Sequence, residues 1–80
     1  MRIEYDQSAL DDLDELPDRI RAQIVRKIER LQDGLHGDIK QLRGTDVAYR
    51  LRMGDYRILF DVESNVIVIR RIRHRKEAYD

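Results

Sequence analysis

Two runs of alternating apolar and polar residues, on either side of Gly54-Asp55, dominate the hydrophobic pattern of this chain. They read VAYRLRM (47–53) and YRILFDV (56–62). Alternation with a period of two is typical of a half-buried strand, and a two-residue break that contains glycine joins two such strands as a hairpin. The predicted register pairs the residues of one apolar face: Met53 with Tyr56, Leu51 with Ile58, Tyr49 with Phe60, and Val47 with Val62.

The opposite face of the predicted hairpin carries three arginines. Arg50, Arg52 and Arg57 alternate with the apolar residues, and Arg52 lies directly across from Arg57. Like charges at opposed strand positions destabilise a sheet by a few tenths of a kcal/mol up to about 1 kcal/mol. We therefore interpret this face as a surface that receives phosphates, with Asp61 as the obvious acidic side chain to offset it.

The N-terminal part predicts a strand followed by two helices. Residues 2–5 alternate as a short strand, and Ser8 is the expected N-cap of a first helix that Pro17 ends. A second helix extends to about residue 33, where Gly34 is the expected stop residue. Apolar stripes at helical spacing mark the packing faces: Leu10, Leu13 and Leu16 in the first helix, and Ile20, Ile24, Ile28 and Leu31 in the second.

The rest of the chain completes the sheet. Residues 35–45 are predicted to form a connector, because Gly37 and Gly44 interrupt any pattern there. A further strand follows the hairpin over residues 66–72, and its Val-Ile-Val-Ile run suits a central strand covered on both faces. We predict a single α+β domain over residues 1–80, of order β-α-α-β-β-β, with a helical hairpin packed on a largely antiparallel sheet.

Composition places the chain among globular proteins. It has 80 residues, of which 41% are hydrophobic and 40% charged, and it contains no cysteine. Disulfides and thiolate metal sites are therefore excluded, and the cytoplasm is the expected compartment. The net charge of zero hides an asymmetry: residues 1–38 hold ten acidic and six basic side chains (net −4), whereas residues 39–80 hold six and ten (net +4). The second part is therefore expected to seek an anionic ligand.

The end of the last strand carries further candidates for chemistry. Arg73 and Arg75 can join the hairpin arginines, because planar guanidiniums match phosphate oxygens bidentately. His74 is the best available general acid or base, and Tyr79 could stack on a base or donate its hydroxyl. The alternative interpretation is a solvated arginine face, a surface histidine and a tyrosine that closes the edge of the core.

Three segments together resemble a known family. They are QLRG (41–44), AYRLRMGDYRILFDV (48–62) and VIVIRRIRHRKEAY (66–79). These segments are similar to those of the RelE-like toxins of bacterial and archaeal toxin–antitoxin modules, within the RelE/ParE superfamily. The resemblance covers essentially the whole chain, including the order of its elements.

The resemblance implies a ribosome-dependent endoribonuclease that cuts messenger RNA in the decoding site. In such enzymes the 2′-hydroxyl of the RNA attacks the phosphate without a metal or another cofactor. The catalytic set implied here comprises Arg50, Arg52, Arg57, His74, Arg75 and Tyr79, and the phosphate-binding set comprises Arg43 and Arg73. Because the best-known members have lysine where this chain has Arg50 and Arg52, and arginine keeps its proton, His74 is the candidate proton carrier.

Two other functions share the expected fold. A ParE-like toxin would inhibit DNA gyrase, which has no need of the arginine, histidine and tyrosine set. A homologue without activity would serve only to bind its antitoxin. All three functions imply a cognate antitoxin, which is expected to cover the basic face with an acidic segment.

Overall fold

The computed structural model describes residues 1–77 as two helices packed on one face of a five-stranded sheet. The elements, in chain order, are β1 (Arg2–Tyr5), α1 (Gln7–Asp14), α2 (Asp18–Glu29), a 3₁₀ turn (Arg30–Asp33), β2 (Asp38–Gln41), β3 (Tyr49–Met53), β4 (Tyr56–Glu63) and β5 (Val66–His74). The strands lie in the order β1-β5-β4-β3-β2, with β1 parallel to β5 and the remaining neighbours antiparallel. The predicted α+β architecture is confirmed.

The predicted connector over residues 35–45 contains an edge strand that sequence analysis missed. This strand, β2, pairs with β3 and places Asp38 opposite Arg52. Ile39 is its one apolar residue, so its alternation is too short to distinguish it from a loop. The strand forms because the edge of β3 presents backbone groups that a neighbouring segment can satisfy.

The helix boundaries differ from the prediction at the start of α1 and at the end of α2, which stops at Glu29 and continues as a 3₁₀ turn to Asp33. Helix α1 begins at Gln7, and Asp6 rather than Ser8 occupies the N-cap position, without a side-chain cap. Pro17 immediately precedes α2, where its fixed φ suits a helix start. Gly34 ends the 3₁₀ turn at φ +136°, a conformation that other residues rarely adopt. No helix within residues 1–77 is long and apolar enough to cross a membrane.

Apolar residues from both layers form the core. The stripe predicted on the second helix is confirmed, since Ile24, Ile28 and Leu31 are fully buried together with Phe60 of the sheet. Phe60 also stacks on Tyr49 of β3, with the ring centroids 5.3 Å apart. Truncation of a fully buried phenylalanine to alanine typically costs about 3–5 kcal/mol. This packing uses one face of the sheet, whereas the opposite face carries the arginines together with the buried Leu59 and Val68.

The apolar stripe predicted on the first helix is wrong at Leu10, which is 40% exposed. The buried residues of α1 are Ala9 and Leu13. Asp12 on the same side of the helix accepts a hydrogen bond from the backbone N–H of Ile72 in β5. The face formed by residues 9, 12 and 13 therefore points at the sheet and turns Leu10 outward.

The β3–β4 hairpin has the predicted register over most of its length. The observed pairs of the apolar face are Met53 with Tyr56, Leu51 with Ile58, and Tyr49 with Phe60. The predicted pair of Val47 with Val62 is wrong, because the backbone N–H of Ala48 donates to the carboxylate of Asp61 and the chain leaves the ladder there. Gly54 begins the turn at φ +56°, a value that favours glycine in a two-residue hairpin.

A β-bulge interrupts the pairing of β4 with β5. The ladder skips Arg70, which lies between the partners of Leu59 and Phe60. The sequence shows the bulge as IRRI (69–72), where two arginines instead of one separate the isoleucines. Because of the extra residue, Ile69 and Ile72 both reach the core, and the alternation continues after it.

Candidate functional site

Three arginines lie side by side on the sheet face opposite the helices. Arg57 in β4 pairs with Arg52 in β3 and with Arg73 in β5, so the three residues share one level of three adjacent strands. We call this set the arginine rung. Neighbouring strands are about 4.8 Å apart, which places the outer two Cα atoms roughly 10 Å from each other. A row of guanidiniums at this spacing suits an anion with several oxygens, such as a phosphodiester.

Arg50 lies two residues before the rung in β3. Its Nη1 donates to the backbone carbonyl of Asp38 at 3.2 Å and to the carboxylate of Asp38 at 3.3 Å. The other carboxylate oxygen of Asp38 is 3.9 Å from Nη1 of Arg52. Asp38 of the unpredicted strand β2 therefore offsets the charges of Arg50 and Arg52. The prediction that Asp61 has this role is wrong.

The predicted open arginine surface is wrong for two of its three members. Arg50 is 7% exposed and Arg57 only 2%, whereas the side chain of Arg52 is 54% exposed. Alternation in the sequence shows which face a residue occupies, but the depth of a side chain depends on the neighbours that other strands supply. The central member of the rung is therefore a buried guanidinium.

Arg57 is held by the turn of its own hairpin. Its Nη1 donates to the carbonyl oxygens of Gly54 at 2.8 Å and Tyr56 at 3.1 Å. Arginine keeps its proton in proteins, so this buried group stays charged. A charge in a region of low dielectric interacts more strongly with an approaching anion than an exposed charge does. Arg57 is thus a fixed cation at the centre of the rung.

The arginine at the bulge is surrounded by carboxylates. Arg70 forms ion pairs with Asp61 at 2.8 Å, Asp6 at 2.9 Å and Glu63 at 3.1 Å. Its hydrogen bonds with Asp6 and Asp61 raise the pKa of Arg70 above its ordinary value. Sequence analysis missed this network, for which the doubled arginine of IRRI was the available signal. Because its charge is compensated, Arg70 has a structural role beside the site.

The next arginine connects the sheet to the first helix. Arg71 makes a bidentate pair with Asp12 of α1, at 2.8 and 3.1 Å. Burial by itself would raise the pKa of Asp12. The hydrogen bonds from Arg71 and from the N–H of Ile72, with the nearby positive charges, outweigh that effect and hold the pKa of Asp12 below its usual range. This pair fixes β5 immediately before Arg73 of the rung.

A cleft of about 320 Å³ lies beside the rung. Arg71, Arg73 and Glu77 contribute to its polar wall, and Leu59 contributes apolar surface. Arg73 is only partly compensated there, since its Nη1 lies 3.5 Å from the carboxylate of Glu77 in an exposed setting. Arg73 is the member of the rung that lines this cleft, and Asp6 and Asp46 also contribute acidic side chains to it.

His74 lies on the opposite face of the sheet from the arginine rung. It pairs with Tyr56 of the apolar face, and the two rings meet edge to face with centroids 5.6 Å apart. The Nδ1 atom of His74 accepts a hydrogen bond from the backbone N–H of Lys76 at 3.3 Å. In this contact Nδ1 therefore acts as an acceptor. The position of His74 does not support its predicted role as a base at the arginine face.

The remaining predicted residues lie around the edge of the site or beyond the described part. The backbone N–H of Arg75 donates to the carbonyl of Asp55 at 2.7 Å, which places Arg75 at the hairpin tip. Arg43 is exposed in the loop over residues 42–48. Tyr79 lies outside the described residues. Within residues 1–77, no group of three or more His, Cys, Asp or Glu side chains could hold a metal ion.

Comparison with known proteins relates this arrangement to a family. A family model described as the ParE toxin of the type II toxin–antitoxin system parDE matches residues 3–79. Toxin RelE3 of Methanocaldococcus jannaschii is 36% identical over 85 residues, in an alignment that covers 100% of this chain and 97% of that protein. The chain belongs to the RelE/ParE superfamily of type II toxins.

Solved structures of superfamily members share the fold described above. The RelB–RelE antitoxin–toxin complex from Methanococcus jannaschii matches with a TM-score of 0.76 and 35% identity, covering 91% of each chain. The archaeal RelE–RelB complex from Pyrococcus horikoshii OT3 matches with a TM-score of 0.78 and 27% identity, covering 96% of this chain and 97% of that one. The superfamily fold therefore accounts for nearly the whole chain.

Proposed function

We propose that this superfamily toxin is a ribosome-dependent endoribonuclease that cuts messenger RNA by attack of the RNA's own 2′-hydroxyl. The observation that carries the proposal is the arginine rung, with Arg57 fixed and buried between Arg52 and Arg73 beside an open cleft. A fold gains no stability from three like charges at one level of a sheet. Their arrangement is accounted for by an anionic substrate that lies across them.

The rung acts on the charge that develops during cleavage. Attack of the 2′-oxygen on the adjacent phosphorus forms one P–O bond and breaks the bond to the 5′-oxygen. The products are a 2′,3′-cyclic phosphate and a 5′-hydroxyl. Negative charge increases on the non-bridging oxygens of the five-coordinate phosphorus, and Arg57 stabilises it from the centre with Arg52 and Arg73 on either side. Guanidiniums keep their protons, so these residues stabilise charge and do not act as bases.

Proton transfer requires other groups. We expect only a small contribution from His74, because it lies on the face of the sheet opposite the rung. Tyr79 stays a prediction from the sequence. A site whose arginines stabilise charge but do not themselves transfer protons depends strongly on how its substrate is held. This requirement supports a substrate that the ribosome presents in a defined geometry.

The proposal includes a cognate antitoxin. The RelE relatives from Methanococcus jannaschii and Pyrococcus horikoshii OT3 were both solved in complex with RelB. We expect the antitoxin of this chain to place an acidic segment over the arginine rung, because the same charges that receive a phosphate also attract carboxylates.

Cleavage of a defined messenger RNA by the purified toxin, with and without ribosomes, tests the proposal. The expected result is cleavage only with ribosomes and fragments ending in a 2′,3′-cyclic phosphate. Arg57→Ala should lower the rate at least 100-fold, since loss of one stabilising donor typically costs about 10²–10³ in rate. Arg57→Lys keeps the charge but loses the planar fork, so an intermediate rate is expected.

Arg2→Ala is the matched control, because Arg2 is an exposed arginine of β1 whose ion pair with Glu4 is also exposed. It should keep the full cleavage rate. Circular dichroism and thermal melting establish that the Arg57 variants are folded. Full activity in a folded Arg57→Ala variant would contradict the proposed role of the rung.

Inhibition of DNA gyrase is the second candidate function, favoured by the description of the matching family model as a ParE toxin. A supercoiling assay with purified gyrase distinguishes the two. Inhibited supercoiling together with intact messenger RNA would establish the ParE-type activity and exclude the endoribonuclease.

A further inference from the structure

Cations without acidic partners are concentrated on the second helix and the 3₁₀ turn that follows it. Most described cations elsewhere contact a carboxylate, as Arg70 and Arg71 do. Within residues 1–77, no carboxylate lies within 4 Å of the guanidiniums of Arg19, Arg26 and Arg30. All three side chains are exposed. The fold therefore leaves a group of positive charges available on this helix.

The three arginines share one side of the helix. Residues 19, 26 and 30 follow each other at spacings of seven and four, which places them within a narrow arc of a 3.6-residue helix. Gln23 lies in the same arc and is also exposed. At a rise of about 1.5 Å per residue, the Cα atoms of Arg26 and Arg30 are about 6 Å apart along the axis and those of Arg19 and Arg26 about 10 Å. We call this set the α2 arginine stripe.

The stripe faces away from the arginine rung. Ile24 and Ile28 on the inner side of α2 pack into the core on the helix-covered face of the sheet, while the rung occupies the other face. The two cationic surfaces are thus on opposite sides of a domain whose extents are 32 × 25 × 23 Å. One molecule could contact two separate anionic partners at once.

The composition of the stripe indicates the kind of partner. The outer side of α2 presents arginine, glutamine and Ala22, without a large apolar side chain. Docking of a protein helix uses apolar anchors at helical spacing, and none is present there. Glu29 and Asp33 lie beside the stripe and reduce its net charge, but they do not contact its guanidiniums. Isolated arginines on an exposed helix suit phosphate oxygens, which they bind bidentately.

We propose that the α2 arginine stripe binds the phosphate backbone of structured RNA. This inference rests on the proposed function in one respect: in a ribosome-dependent nuclease, that RNA is the ribosomal RNA around the message. The stripe holds the toxin against the ribosome while the rung, on the opposite side, faces the substrate phosphate. Recognition of this kind is insensitive to sequence and strongly dependent on salt.

Sedimentation of the toxin with purified ribosomes at several salt concentrations tests the inference. The triple variant Arg19→Gln, Arg26→Gln, Arg30→Gln should bind at least tenfold more weakly, with a shallower dependence of log K on log salt, because each lost phosphate contact lowers the slope by about 1. Gln23→Arg adds a cation to the same arc and should strengthen binding. Arg2→Gln, on β1, should leave the affinity unchanged within about twofold, an estimate for a surface change outside the contact.

Both glutamine and arginine are good helix formers, so the variants are expected to fold, and thermal melting verifies it. A second probe, a labelled RNA hairpin with a long double-stranded stem, makes the test independent of the ribosome. Weaker binding of the RNA hairpin by the triple variant supports the role of the stripe, even if the toxin neither binds ribosomes nor cuts messenger RNA. Those two negative results would overturn only the proposed function. Unchanged affinity and salt slope of the triple variant for both probes would overturn the inference. Loss of antitoxin binding with unchanged RNA binding would overturn it as well, by assigning the stripe to a protein partner.

Discussion

Arg57 is buried within the sheet and keeps its positive charge. Two strands flank it with further arginines, and the carbonyl oxygens of its own hairpin turn hold one end of its guanidinium. Placing a charged group in a region of low dielectric is costly unless it makes strong interactions. The burial of Arg57 accords with the proposal that this residue binds a phosphate.

His74 and Arg73 show that neighbouring residues of a strand can have different roles. His74 and Arg73 point to opposite faces of the sheet, although they are neighbours in the sequence. We expect His74→Gln to lower the rate of ribosome-dependent cleavage by less than tenfold, whereas a true general acid or base contributes about 10²–10⁴-fold. Single-turnover measurement of the cleavage rate tests this. A loss of 100-fold or more would return His74 to the catalytic set.

At the scale of elements, the attachment of α1 to the bulged strand β5 positions the strand that carries Arg73. Asp12 accepts hydrogen bonds from Arg71 and from the backbone of Ile72, so one carboxylate joins a helix to the strand that carries Arg73. The bulge accommodates Arg70 as an extra residue of β5, and the alternation of apolar and polar side chains continues on either side of it. Bulges of this kind redirect side chains near functional sites.

Asp12→Asn should lower the free energy of unfolding at pH 7 by about 1–3 kcal/mol, because a charge-assisted pair is lost. The pKa of Asp12 is lowered in the folded protein. Its contribution is therefore complete above the ordinary carboxyl pKa of about 3.9 and is lost as the pH falls through the lowered value. The stability difference between the two proteins should accordingly shrink below about pH 4.

Urea denaturation at several pH values provides the measurement. Asp11→Asn is the matched control, since Asp11 is exposed and bonds only to the side chain of Gln7 among the described contacts. Asp11→Asn should change the free energy of unfolding by no more than about 0.5 kcal/mol. Equal losses in both variants, or a difference that does not depend on pH, would argue against a stabilising role of the pair of Asp12 with Arg71.

At the scale of the whole molecule, a small domain carries two cationic surfaces on opposite faces. An 80-residue chain buries only about two thirds of its unfolded surface, so its stability margin is narrow. A partner that binds only the folded form adds stability by mass action. This makes the proposed antitoxin a stabiliser as well as an inhibitor.

Addition of the cognate antitoxin at 100 times its dissociation constant should stabilise the toxin by about 2.7 kcal/mol. For a domain of this size, that corresponds to a rise in melting temperature of roughly 10–20 °C. Thermal melting across a series of antitoxin concentrations measures it, and the midpoint should rise with each increase. A midpoint that remains constant in excess antitoxin would show that the two proteins do not bind.

Local pattern was sufficient for much of this architecture. The hairpin register follows from strict alternation around Gly54, and the buried side of α2 follows from apolar residues at helical spacing, because both signals depend on near neighbours in the chain. The same pattern placed Arg52 and Arg57 of the rung on one face, which the observed register confirms. Strand β2 could not be predicted in this way, since its existence depends on a free edge of β3 rather than on its own residues.

The amino-acid sequence by itself determined the order of the elements apart from β2, the face that each hairpin residue occupies and the placement of positive charge in the C-terminal part. Only the tertiary structure decided which charges are compensated: Asp38 reaches Arg50 from β2, and Asp12 reaches Arg71 from α1. It also decided that Arg57 is buried, although alternation alone predicts an exposed face for it. The physical reason is that burial and ion pairing are set by residues brought together from distant positions, whereas alternation and helical periodicity are properties of consecutive ones.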